Sequence, residues 1–221
     1  MIPDLSPLAT SLKTAGIATL LAGLGGVLCA RAVPKFASRS RFLLETLILI
    51  PMVLPPTVIG YGLLFVFGPH GPVGYMTNTL WGETLIFTWW AGMLASSIVA
   101  FPVVYLSARG AFEQVDGQLL DAARTFGAGS GRLLFDILLP LARPGLIAGL
   151  LLALARSLGE FGATMMVAGR ISDSTETIPM AIYFAVEAGE EFEALFWSSV
   201  AISIACLVLA VSQRMSRRRV T

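Results

Sequence analysis

Apolar residues run almost unbroken through five stretches of the chain, at residues 12–32, 43–67, 84–107, 146–168 and 194–213. A helix needs about 20 mostly apolar residues to cross a bilayer core. The expected fold class is therefore an all-α integral membrane protein of about five transmembrane helices. One stretch breaks the pattern: LDAARTFGAGSGRLLFDILLP, residues 120–140, carries acids, arginines and three glycines. There Leu119, Leu120, Ala123, Phe126 and Gly127 recur at helical spacing, with Asp116, Asp121 and Arg124 on other faces. That spacing predicts a short amphipathic helix. Gly127 to Gly131 are expected to end it and turn the chain. Leu133, Leu134 and Ile137 then open a second short helix, and Pro140 and Pro144 mark the start of the fourth span.

Charge changes the picture by its placement. Only 13% of the 221 residues are charged and the formal balance is +1, against about 25% charged in ordinary soluble domains. Yet 12 of the 15 Lys and Arg fall in three places. These are Arg31, Lys35, Arg39 and Arg41 after the first span, Arg109, Arg124, Arg132 and Arg143 after the third, and Arg214, Arg217, Arg218 and Arg219 after the fifth. The 68–83 loop has none and the 169–193 loop only Arg170. Short cytoplasmic loops carry the Lys/Arg excess. The expected topology is thus a multi-pass protein of the cell membrane, N-terminus outside and C-terminus cytoplasmic. Residues 108–145 form a cytoplasmic loop within a single membrane domain, 1–221. The first stretch is longer than a signal core of 7–15 residues, and its basic flank follows it, so it is expected to be a retained span. Cys29 and Cys206 both fall in spans, which argues against a disulfide framework.

Candidate chemistry is sparse. Arg156 and Glu160 lie four apart in the fourth span, where isolated charges cost several kcal/mol unless paired or facing protein or water. They share a helix face, and a structural salt bridge is one reading. Ser157 sits beside them with no imidazole partner in reach. Pro51, Pro55 and Pro56 interrupt the second span, where proline removes backbone hydrogen bonds and kinks a helix. Either a bent helix packs there, or the kink lines a cavity beside Tyr61. Gly145, Gly149, Gly159 and Gly162 permit close helix approach. The sole histidine, His70, reads as a solvated loop residue, and no Cys/His cluster has zinc-ligand spacing. GAGSGR at 127–132 lacks the Lys-Ser/Thr pair of a phosphate loop and is a turn. No catalytic residue, metal or cofactor is expected, and no nucleic acid. Two rivals stay open from these residues alone: an intramembrane enzyme using Glu160 and Ser157, and a structural anchor.

The amphipathic stretch resembles the cytoplasmic loop of ABC importer permeases. That loop has the form Glu-Ala-Ala, three residues, Gly, nine residues, Ile, any residue, Leu-Pro. Here the same spacing holds through Asp121, Ala122, Ala123, Gly127, Ile137, Leu139 and Pro140, with Asp121 in place of Glu. In the family this loop docks into a groove on the ATP-binding subunit. ARSLGEFGAT at 155–164 resembles permeases for tetrahedral oxyanions, nearest the molybdate type, whereas sulfate permeases carry variants of the GEFG core. VLPPTVIGYGLL at 53–64 and TIPMAIYFAVEAG at 177–189 are similar to the molybdate permeases as well. The resemblance spans residues 43 to 213. It implies a type I ABC importer permease fold and import of molybdate by alternating access, with sulfate, thiosulfate or tungstate as alternatives. The implied partners are two ATP-binding cassette subunits, a second permease copy, an extracytoplasmic substrate-binding protein and membrane lipid. ATP hydrolysis then belongs to the separate subunit. The route is expected to involve Arg156, Ser157, Glu160, Pro55, Pro56 and Tyr61, with Arg156 attracting the anion and Glu160 restraining it.

Overall fold

A computed structural model describes residues 4–82 and 84–217; Arg218 and Arg219 of the C-terminal basic run lie outside the described residues. Helix α1 (Ser6–Ala32) ends in one 3-10 turn, Val33–Lys35. It is followed by α2 (Ser38–Val53), α3 (Pro56–Phe67), α4 (Pro72–Trp81), α5 (Trp89–Glu113) and α6 (Gly117–Thr125). A short α7 (Ser130–Arg132) then leads through a π-helix, Leu133–Leu138, into α8 (Leu139–Leu158). Helices α9 (Gly162–Ala168), α10 (Ile178–Ala188) and α11 (Glu191–Arg217) complete the chain. Four rods are long and apolar enough to cross a membrane: Ser6–Lys35, Trp89–Glu113, Ser130–Leu158 and Glu191–Arg214. The α2–α3 pair, bent by 113° at its break, supplies the fifth candidate span.

Small residues hold the bundle together. Ala22 of α1, Ala100 and Val104 of α5, and Ala153 of α8 form one buried cluster. Ala30, Val33, Tyr105 and Ala108 form a second at one end of α1 and α5. Lipid tails are as apolar as leucine, so helices in a membrane associate through close van der Waals approach rather than apolar burial. Many large apolar residues accordingly point outward, among them Leu20, Leu24, Phe42, Leu47, Leu195 and Ile202, while Trp197, Tyr105 and Met180 are buried. Hydroxyl and indole groups fasten the far end of α1. The Trp89 indole N–H donates to Thr14 Oγ1 at 2.8 Å, Lys13 Nζ lies 4.0 Å from that ring's centre, and Ser11 Oγ accepts the backbone N–H of Ile178.

Two expected spans differ in form. The stretch 146–168 is not one helix: α8 stops at Leu158 and the chain breaks over Gly159–Phe161 before α9. The rod leading into that break also starts earlier than Pro140 and Pro144 suggest, at Ser130, and runs through both prolines. The π-helix ahead of them explains this. Leu139 N–H bonds the carbonyl of Leu134, five residues back, so the wider turn shifts the hydrogen-bond ladder just where Pro140 cannot donate. The second span does interrupt at its prolines: α2 absorbs Pro51 and ends at Val53, and α3 starts at Pro56. The two loops poor in Lys and Arg contain α4 and α10. Cys29 and Cys206 are free thiols.

Candidate functional site

Sequence builds the loop between α5 and α8 locally. The Asp116 carboxylate accepts the Gln118 N–H at 2.9 Å and so caps α6, satisfying a donor the helix start leaves orphaned. At the other end Ala128 N–H bonds the Ala123 carbonyl and Gly127 N–H bonds that of Arg124, at 3.0 and 2.9 Å. This is a Schellman closure, and Gly127 takes the left-handed φ of +81° that it requires. Asp121 pairs with Arg124 on the exposed surface. No residue of α6 is buried. The expected apolar stripe divides: Leu120 turns towards the bundle, while Leu119 and Phe126, the latter 91% exposed, face away. Leu133 and Leu138, both buried, anchor the return of the chain. Of the motif residues Asp121, Ala122, Gly127 and Pro140 are exposed, and Ala123, Ile137 and Leu139 half-buried. The result is a small helix capped at both ends, with an exposed outer face.

A second feature lies where two helices break. Glu160 sits past the end of α8 rather than on its face, and its side chain is 1% exposed. One carboxylate oxygen accepts from the Arg156 guanidinium at 2.8 Å, and the other accepts the Ala163 N–H at 2.9 Å. Glu160 therefore neutralises Arg156 and also caps α9, whose N-terminus carries the positive end of the helix dipole. The α2–α3 break abuts this one. A Cβ placed on Gly162 would come within 3.2 Å of Pro56 Cβ and 3.4 Å of Thr57, so glycine lets the two breaks meet closely and a larger residue would push them slightly apart.

The structure brings Arg156, Glu160 and Pro56 into one neighbourhood. Pro55 is exposed beside them, and Tyr61, 64% exposed, lies on α3 beyond the bend. Ser157 departs from the group. It is buried, and its hydroxyl has no partner among the described residues. Sequence reasoning missed the ion-pair chain Arg41–Glu45–Arg109–Glu113, in which Glu45 accepts from Arg41 at 2.8 Å and from Arg109 at 2.9 Å. The spacings Arg41/Glu45 and Arg109/Glu113 are visible as i,i+4 pairs; the link from α2 to α5 is not.

Broken apolar spans and a small-residue core together describe a polytopic helical membrane protein. The chain belongs to the binding-protein-dependent transport system inner membrane component family, whose model matches residues 22–221. It is 38% identical to a putative molybdenum transport system permease protein of Bacillus subtilis, over 95% of this chain and 92% of that one. It is also 38% identical to the molybdenum transport system permease protein of Escherichia coli, over 98% and 96%. Among solved structures it is similar to a chain of a bacterial alginate ABC transporter, with TM-score 0.73, 16% identity, and 97% and 78% of the two chains covered. The inward-facing methionine ABC transporter gives 0.66, 16%, 96% and 92%. The fold is that of type I ABC importer permeases. The chain is a multi-pass transport subunit rather than an enzyme.

Proposed function

We propose that this chain is the permease subunit of an ATP-driven molybdate importer. The observation that carries the reading is identity of 38% with molybdenum permeases along nearly the whole chain. The exposed α6, capped at both ends, supports the mechanical half. Two copies of the chain form the route, two ATP-binding subunits dock on the α6 loops, and an extracytoplasmic binding protein delivers the anion. The α6 end lies in the cytoplasm with the C-terminus, and the N-terminus lies outside. ATP binding draws the two α6 loops together and favours the outward-open state, so cargo binding must differ between states for transport to be driven.

In this reading Glu160 is scaffolding that locks the two helix breaks, and Arg156 is shared. Its side chain is 37% exposed, and one guanidinium nitrogen is engaged by Glu160. An arginine already half-neutralised attracts an oxyanion without trapping it.

Uptake of labelled molybdate into proteoliposomes of the assembled transporter tests the cargo. Unlabelled tungstate and molybdate should compete at similar concentrations and sulfate only at far higher ones. Equal competition by sulfate would reassign the cargo. Topology has its own measurement, in a background with Cys29 and Cys206 replaced by Ser. An impermeant thiol reagent applied outside cells should label a cysteine at exposed His70 and spare one at Gly129, where added side-chain atoms meet open space. Labelling of both from outside would refute the orientation.

A further inference from the structure

We propose that the bundle binds an anionic phospholipid between α2 and the α1–α5 pair. The headgroup phosphate sits on arginines beneath the docking loop, and an acyl chain lies further along the same three helices. The proposal rests on geometry alone and is independent of the cargo.

At the α6 end a cavity of about 250 Å³ is lined by Arg31, Arg41, Arg109 and Arg124, with Glu113 as its acidic member. Arg41 pairs with Glu45, Arg109 with Glu45 and Glu113, and Arg124 with Asp121. Four guanidinium groups thus face three carboxylates, and Arg31, half-buried, carries no ion pair among the described residues. Lys35 and Arg39 are exposed on the connection that follows. An uncompensated positive charge at the rim of a membrane bundle is a natural seat for a lipid phosphate.

The occupant's other half is specified deeper in the bundle. A second cavity, of about 330 Å³, opens between the same three helices and is walled by Leu21, Leu47, Ile48, Pro51 and Phe101. Arg41 and Ile48 are seven residues apart on α2, about 10 Å at the helical rise. One molecule with a charged head and an apolar tail spans both. A free oxyanion would fill the first and leave the second empty. A second copy of this chain, seated face to face, would set the same arginines against one another. Helix α2 buries none of its residues fully, and only Leu44, Ile48 and Leu49 pack against the α1–α5 cluster at the arginine end.

The test uses the full chain, delipidated in detergent, with native mass spectrometry of bound phosphatidylglycerol and phosphatidylcholine of matched acyl chains. Phosphatidylglycerol should be retained preferentially. Arg31→Gln should weaken that retention about fivefold, the order of one interfacial cation, and Arg31→Lys should restore most of it. Leu47→Trp, which fills the groove and leaves every arginine in place, should weaken it too. Equal retention of the two lipids, or retention indifferent to Arg31→Gln or to Leu47→Trp, overturns the proposal. So does displacement of phosphatidylglycerol by millimolar inorganic phosphate or molybdate, which would assign the arginines to a free oxyanion.

Discussion

Arg156→Met should destabilise the protein more than Glu160→Gln, although the two residues form a single ion pair. The asymmetry follows from burial. Removing Arg156 strands a carboxylate that is 1% exposed, with only the Ala163 N–H left to it. An orphaned buried charge of this kind costs about 3–5 kcal/mol. Glu160→Gln keeps an oxygen to accept from Ala163 and frees an arginine that is already 37% exposed. Its cost should be nearer that of one hydrogen bond to a charged group, about 1.5–3 kcal/mol. Thermal unfolding in detergent, followed by tryptophan fluorescence, measures both. Equal losses would mean that Glu160 is not the buried anchor described above. The double variant separates scaffold from route. If Arg156 does nothing but balance Glu160, the double variant should regain both folding and molybdate uptake. If Arg156 also faces the anion, as proposed, it should fold and stay inactive.

Gly127→Val should leave folding intact and weaken coupling severely. The chain places no atom within 4 Å of a Cβ at Gly127, so steric crowding is absent; the strain comes from the backbone, at φ +81°. A left-handed residue with a Cβ costs roughly 1–2 kcal/mol, enough to depopulate the closed Schellman turn about 5- to 30-fold. In proteoliposomes of the assembled transporter, ATP hydrolysis stimulated by binding protein and cargo should fall by a similar factor, with unchanged expression and melting temperature. Gly127→Asn, which tolerates the left-handed region, should retain most of the activity. Full coupling in Gly127→Val would remove α6 from the coupling pathway.

Much of this protein is legible from spacing. Asp116 ahead of an amphipathic turn, Gly127 behind it, and the acids and arginines at i,i+3 and i,i+4 all act within a few residues. Backbone period alone brings them together. Runs of apolar residues set span length in the same way, because a membrane of fixed thickness demands a fixed number of turns. The break at Gly159–Phe161 was hidden for a related reason: nothing in an apolar run announces that a helix stops, and the i,i+4 spacing of Arg156 and Glu160 reads equally well as a continuous face. Periodicity likewise places Ser157 next to Arg156, and only packing shows that it is buried.

What the sequence by itself determined is therefore an all-helical membrane protein with about five apolar stretches and a capped amphipathic helix between the third and fourth, each a product of local backbone chemistry. Only the tertiary structure decided that Glu160 caps α9, that Gly162 admits Pro56, and that Glu45 of α2 reaches Arg109 of α5. The last two join residues far apart in the chain, and the first depends on where α8 stops. They depend on how each helix is rotated about its axis and how closely small residues let the helices approach. No spacing rule along a single helix carries that information.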